Sequence, residues 1–220
     1  MRYLFPAILG ICGIAILVSL GTWQLRRLAW KGAMLADIDA RITAAPVAVP
    51  AAPDPEADRF LPVQAEGTLG GQGIMVLASI KQVGAVHRFV TTLTTPEGRV
   101  LLVDLGYRKV ISADASFPQG AVTVTGNLHW PDEVDGFTPD PEGALWFARD
   151  VPALAEALGA EPLLIVAREV RPGSTITPLP VSSVGIPNDH LGYAVTWFGL
   201  ALVWLGMTLF LMWRIKRRTA

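Results

Sequence analysis

The sequence holds a single cysteine, Cys12, among 220 residues. That excludes an intrachain disulfide, a CxxC redox pair and any Cys-rich zinc or iron–sulfur site, and it argues against a thiol-based copper carrier. Cys12 lies in an apolar run and reads as a small buried or lipid-facing residue. Histidine is nearly as scarce, with only His87, His129 and His190. No two of them stand at helical spacing, and neither H-E-x-x-H nor G-x-S-x-G occurs, so the chain is expected to catalyse no reaction. Acidic residues are missing from both ends. All 19 Asp and Glu fall between Asp37 and Asp189, where ten basic residues leave a net charge of −9, and the other eight Lys and Arg sit outside that window. A basic folded surface for nucleic acid is therefore lacking.

Charge is absent altogether from residues 3–25 and 191–213, two runs of 23 residues. Each is long enough to cross a hydrocarbon core of about 30 Å. The composition agrees, with 51 % hydrophobic residues and a mean hydropathy of +0.42. The first run exceeds the roughly 7–15 apolar residues of a signal peptide, and Gly21-Thr22-Trp23-Gln24 offers no small-x-small cleavage site, so an uncleaved anchor is expected. Met1 and Arg2 lead directly into it without an Arg- and Ser-rich transit segment, which points to a bacterial inner membrane. The positive-inside rule gives conflicting votes, because Arg26, Arg27 and Lys31 follow the first span while Arg214, Lys216, Arg217 and Arg218 follow the second. Two spans put both termini on one side. The four-charge tail decides for the cytoplasm, leaving the acidic middle periplasmic.

The expected class is membrane α+β, with two transmembrane helices flanking an extracytoplasmic antiparallel β-rich domain, sandwich or barrel. Its parts are a span at 3–25, a stalk at 26–58 with a short helix and a Pro-rich linker, a β-rich domain at 59–187, a second span at 188–213 and a basic tail at 214–220. Residues 122–130 alternate, with Val122, Val124, Leu128 and Trp130 on one face and Thr123, Thr125, Asn127 and His129 on the other. Similar runs at 60–69, 73–80, 85–95, 99–106 and 162–168 make five or six strands. One helix interrupts them, with Asp150 as N-cap, Pro152 in its first turn and Gly159 just past its end. The glycine-rich stretch from Gly67 to Gly73 lacks a phosphate-loop ending and reads as a hairpin turn. His87 alternates with Phe89 and Leu93, as a core histidine would, whereas His129 shares a solvated strand face.

His190 stands apart. Asn188 or Asp189 is positioned to cap the second span and leave His190 in its first turn. At about 100° per residue, His190, Tyr193, Ala194, Trp197, Ala201 and Trp204 share one stripe, and Gly192, Gly199 and Gly206 lie opposite. The glycines are expected to pack on the first span, with its Gly10, Gly13 and Gly21, leaving the stripe to face away. Two readings of the stripe stay open. It could hold a flat apolar macrocycle by axial ligation and stacking, or it is a polar cap above an interfacial aromatic belt.

The run Asn188–Ala201, NDHLGYAVTWFGLA, resembles the N-x-H-L-x-Y-x-x-T-W motif of the Surfeit locus protein one family of cytochrome c oxidase assembly factors. The similarity extends to GTWQLRRLAWK (21–31), LVDLGY (102–107) and PDPEGALWFARD (139–150). It implies an oxidase assembly factor that delivers or retains haem a for subunit I. His190 would then be the axial ligand, with Tyr193, Trp197 and Trp204 sheltering the ring and Asn188 or Asp189 orienting the imidazole. Subunit I is the implied partner, alongside haem a synthase and membrane lipid. The competing reading is a scaffold that binds subunit I or haem a synthase and holds no cofactor. One departure stands out. The family usually reads L-V-N-R-G where this chain has Leu102-Val103-Asp104-Leu105-Gly106, so the contact of that arginine is expected to be lost or supplied by Arg108.

Overall fold

A helix that begins in the first apolar run does not stop where that run ends. In the computed structural model, which describes residues 4–110, 116–184 and 186–217, α1 (Leu4–Thr43) is one continuous helix of 40 residues, about 60 Å long. Met1 and Arg2, Tyr3 of the first run, and residues 218–220 of the basic tail lie outside the described residues. The separate short helix expected in the stalk is instead the far half of α1. The reason is local, since residues 33–41 are rich in good helix formers and contain no proline, and Gly32 alone does not break the ladder. Pro46 forbids further propagation. In the last turn the carbonyl of Ile42 accepts hydrogen bonds from Asn127 Nδ2 (3.0 Å) and Arg168 Nη1 (3.3 Å).

Two compact units result, one formed by the chain up to Asp37 together with the chain from Ser183, the other being Ile38–Ser182. The first holds most of α1 and α3 (His190–Arg217). Both helices are long and apolar enough to cross a membrane.

The second unit is a barrel. Its strands are β1 (Val47–Ala48), β2 (Pro62–Ile80), β3 (Gly84–Thr94), β4 (Val100–Lys109), β5 (Gln119–Leu128), β6 (Leu145–Trp146) and β7 (Glu161–Arg171), with α2 (Val151–Leu158) before the last. The hydrogen-bonded order β2-β3-β4-β7-β5 returns to β2 through a β2–β5 pairing, so the five long strands close on themselves. The sheet is mixed, which corrects the antiparallel expectation. β4 and β7 run parallel, Leu102 beside Leu164 and Val103 beside Ile165, and β1 and β6 add parallel to β2. Parallel neighbours need a long crossover. β5 and then residues 129–160, including α2, stand between the parallel neighbours β4 and β7 in the chain and supply it.

The expected hairpin at Gly67–Gly73 is also corrected. β2 runs straight through it, pairing with β5 from Pro62 to Gly70 and with β3 from Thr68 to Ile80, with the register breaking between Leu69 and Gly73. The register break marks a barrel corner, where other backbone comes close. A Cβ on Gly67 would lie 2.4 Å from the Thr94 carbonyl oxygen, and one on Gly73 would lie 2.2 Å from that of Val90.

Leu93, Leu101, Val103, Leu105, Leu128 and Ile165 fill the barrel interior. On the outer face Val90, Leu102, Leu164 and Val166 pack under Val151, Leu154 and Ala155 of α2. β4 and β7 are thus buried on both sides, so they read as unbroken apolar runs rather than alternating ones. α2 is bounded as expected: the Asp150 side chain accepts from Ala153 N at 3.2 Å, and Gly159 closes the helix in the left-handed conformation.

Candidate functional site

Within the helix pair, the close-packed surface of α1 is its own glycine face. A Cβ on Gly10 would lie 2.2 Å from Thr208 Cγ2, one on Gly13 would lie 2.2 Å from Trp204 Nε1, and one on Gly21 would meet the Phe198 ring at 2.7 Å. The glycines of α3 do the opposite. A Cβ on Gly192, Gly199 or Gly206 would meet nothing within 4 Å. The expected seam through these three residues is therefore corrected: small residues on one helix receive large ones from the other, so glycine need not face glycine.

The same geometry relocates the His190 stripe. Ala194 is 1 % exposed and Ala201 6 %, on the face where Trp204 and Thr208 meet α1. The small residues of the stripe therefore face the first span rather than away from it, while Tyr193 stays exposed. The stripe is also long, since His190 and Trp204 are fourteen residues apart, about 21 Å along the axis, which is more than one tetrapyrrole ring covers. Of the four predicted cofactor-binding residues, His190, Tyr193 and Trp197 stay together within two turns. Trp204 does not join them.

His190 opens α3 half-buried, and its Nδ1 lies 2.8 Å from Oε1 of Gln24, a buried residue of α1. An amide oxygen only accepts, so the imidazole donates from Nδ1 and leaves Nε2 with its lone pair. Among the described residues no protein group meets Nε2. The orienting partner is thus Gln24, not Asn188 or Asp189 as the sequence suggested. Neither side chain caps the helix: the Asp189 backbone carbonyl accepts from Tyr193 N, and Asn188 Oδ1 is buried without a partner. At the same end Lys31 Nζ donates to the Pro187 carbonyl, tying α1 to the residues just before α3. An imidazole with one nitrogen fixed and the other open suits axial ligation of an iron, and the orphaned Asn188 oxygen adds an acceptor nearby. The residues fit a single ligating bond; the long stacking platform does not fit.

The other two histidines belong to the barrel unit. His87 is half-exposed at the end of β3, because the register shift between Arg88 and Val90 interrupts the alternation that would have buried it with Phe89. His129 is not on a solvated face. It stacks on Phe60 with ring centroids 5.3 Å apart, and its Nδ1 is buried without a partner. Burial, reinforced by the Arg149 and Arg59 charges, pushes its pKa down to about 4.

Beside it lies a charge cluster that sequence reasoning missed. Asp104 is fully buried, receives Arg88 Nε at 2.8 Å and Nη2 at 2.6 Å, and receives Arg149 Nη1 at 3.2 Å. Glu133 then takes Arg149 Nε at 3.1 Å and its backbone N–H at 2.9 Å. Burial weakens the Arg149 cation, and its bonds to Glu133 and Asp104 more than reverse that, so its pKa is raised. Arg108 is not a substitute in this cluster, for it donates to the Ser116 carbonyl and to Thr175 Oγ1, while Leu105 points into the barrel core. Among the described residues no group of three or more His, Cys, Asp or Glu could hold a metal ion.

The SURF1 family model matches residues 11–202. The chain is 30 % identical over 213 residues to Surfeit locus protein 1 of Xenopus tropicalis and 27 % identical over 206 residues to that of Rattus norvegicus, covering 82 % of this chain and 67 % of each relative. It is 27 % identical over 215 residues to a SURF1-like protein of Monosiga brevicollis, covering 88 % of this chain and 82 % of that one. The chain belongs to the SURF1 family.

Proposed function

We propose that this protein is an assembly factor for cytochrome c oxidase that holds haem a at His190 and releases it to subunit I. Family membership supports the assembly role, since SURF1 proteins are known as cytochrome c oxidase assembly factors. The observation that carries the haem part is the Gln24–His190 hydrogen bond, which leaves Nε2 as the free nitrogen. Haem, when bound, would supply an iron that takes a nitrogen ligand. His190 would hold it through Nε2, Gln24 would keep the proton on Nδ1, and Tyr193 and Trp197 would be the nearest aromatic surfaces on the same helix. A single protein ligand on a helix end favours release over retention, as hand-over requires. No catalytic step enters this role. In this reading both helices span a membrane, with the two termini on its cytoplasmic side and the barrel on the other.

A second reading has its own support. Ala194 and Ala201 are buried in the helix pair, which removes much of the platform and favours a scaffold that binds subunit I or haem a synthase with no cofactor. Purification from cells that make haem a separates the two. In the haem reading, wild type carries Soret and α bands, His190→Ala loses them, His87→Ala and His129→Ala keep them, and Trp197→Ala loses only part. Absence of bands in wild type, or full bands in His190→Ala, sinks the haem reading in favour of the scaffold.

A further inference from the structure

Between β5 and α2 the chain displays Phe137 at 94 % exposure, with Val134 half in solvent beside it. The loop that carries them is built rather than slack. Asp135 Oδ1 accepts from Phe137 N at 2.9 Å and from Thr138 Oγ1 at 3.1 Å, and Thr138 Oγ1 accepts in turn from Asp135 N at 2.9 Å. At one base Glu133 is held by Arg149, which the buried Asp104 anchors to the barrel. At the other, Glu142 and Leu145 exchange backbone hydrogen bonds at 2.8 and 3.1 Å. A phenyl ring fixed in water by so many bonds gains nothing for the fold, and apolar area of this kind is stabilising only when something covers it.

The surroundings identify the cover. Asp132, Asp135, Asp140 and Glu142 are exposed on the same loop, and no Lys or Arg occurs anywhere between Lys109 and Arg149. Such a loop is repelled by anionic headgroups, which disfavours insertion into a membrane surface. We infer that Phe137 is the apolar anchor of a docking loop, and that its partner is a protein offering a hydrophobic pocket rimmed by Lys or Arg. Preorganisation removes the ordering cost that a mobile loop would meet on binding. A central aromatic with a charged rim is the arrangement in which one residue dominates an interface. Resting on the assembly role proposed above, the partner is a protein of the oxidase assembly system.

The test uses the full-length protein in the membranes of its own host, with p-benzoylphenylalanine in place of Phe137. Irradiation is expected to give one adduct with an oxidase subunit or assembly protein, through a peptide flanked by Lys or Arg. Its yield should fall with added salt and in the Asp132→Asn, Asp140→Asn, Glu142→Gln triple variant. Phe137→Ser should keep the wild-type melting temperature and lower co-isolation of that protein roughly thirtyfold, with Phe137→Leu restoring part. A yield no higher than from the probe at exposed Val110, an adduct with lipid, or wild-type co-isolation in Phe137→Ser overturns the docking loop. An adduct with a basic-rimmed protein outside the oxidase system upholds the loop and overturns the assembly role instead.

Discussion

His129, Asp104 and Gln24 each hold a position that their immediate sequence does not announce. His129 stays neutral in the folded protein down to about pH 4 but protonates near pH 6.5 once unfolded. Its contribution to stability is therefore fully present above about pH 6.5 and is lost as pH falls toward 4, by roughly 2 kcal/mol after allowing for its partial exposure. His129→Leu should bring the melting temperatures at pH 7 and pH 5 closer together than in wild type. Glu133 does not confound that window: burial raises its pKa, the Arg149 hydrogen bonds and charge more than reverse this, and the carboxyl titrates below the ordinary range. An unchanged gap between the two melting temperatures would remove His129 from the account. Asp104→Ala strands two arginines in a dry site and should cost about 3–5 kcal/mol, read as a lower melting temperature of the full chain in detergent. Gln24→Leu removes the partner of His190 Nδ1 among the described residues. If the proposed haem site is correct, it should weaken haem a binding about 10–100-fold and shift the haem midpoint potential, whereas loss of fold alone would move no potential. None of these roles was legible from spacing, because 166 positions separate Gln24 from His190 and 45 separate Arg149 from Asp104. His190 was singled out by its motif, but its hydrogen bond to Gln24 was not.

Among the elements, those with a local cause read well and those with a distant one did not. The caps of α2 are side-chain and φ/ψ preferences of Asp150 and Gly159, so they could be read residue by residue. The long strands lie where the apolar runs lie, but pairing partners do not follow from alternation. The run Leu163-Leu164-Ile165-Val166-Ala167, buried on both faces, was the one signal of a parallel neighbour. Glycine was misread twice, at the β2 corner and on α3, because its meaning depends on what approaches it. The helix pair gives a direct check. With Cys12→Ser as background, cysteines at Gly10 and Thr208 should cross-link readily, since a Cβ on Gly10 would lie only 3.1 Å from that of Thr208. Gly13→Leu, whose side chain would collide with the Trp204 indole, should abolish that cross-link, and Gly199→Leu should leave it intact. If Gly199→Leu separates the helices instead, α3 packs through its own glycines.

At the scale of the whole chain, the proposed membrane orientation is decided by competition between two basic clusters. Arg26, Arg27 and Lys31 ride on α1, which continues beyond them into a stretch bearing Asp37 and Asp39. Arg214, Lys216 and Arg217 fill the last turn of α3. A cation near the anionic cytoplasmic surface is stabilised by about 1 kcal/mol, and Lys/Arg bias within short flanks sets orientation, so the four-charge tail should outweigh the three-charge neck. In a bacterial host, alkaline phosphatase inserted at the open Gly136 should then be active, and a fluorescent protein fused after Ala220 should fluoresce. Replacing Arg214, Lys216, Arg217 and Arg218 by Gln removes the winning cluster without touching the neck. That variant should lose phosphatase activity in at least part of the population as the neck draws the barrel side inward. An inactive phosphatase with the native tail would mean that the neck wins outright, and the barrel would then face the cytoplasm.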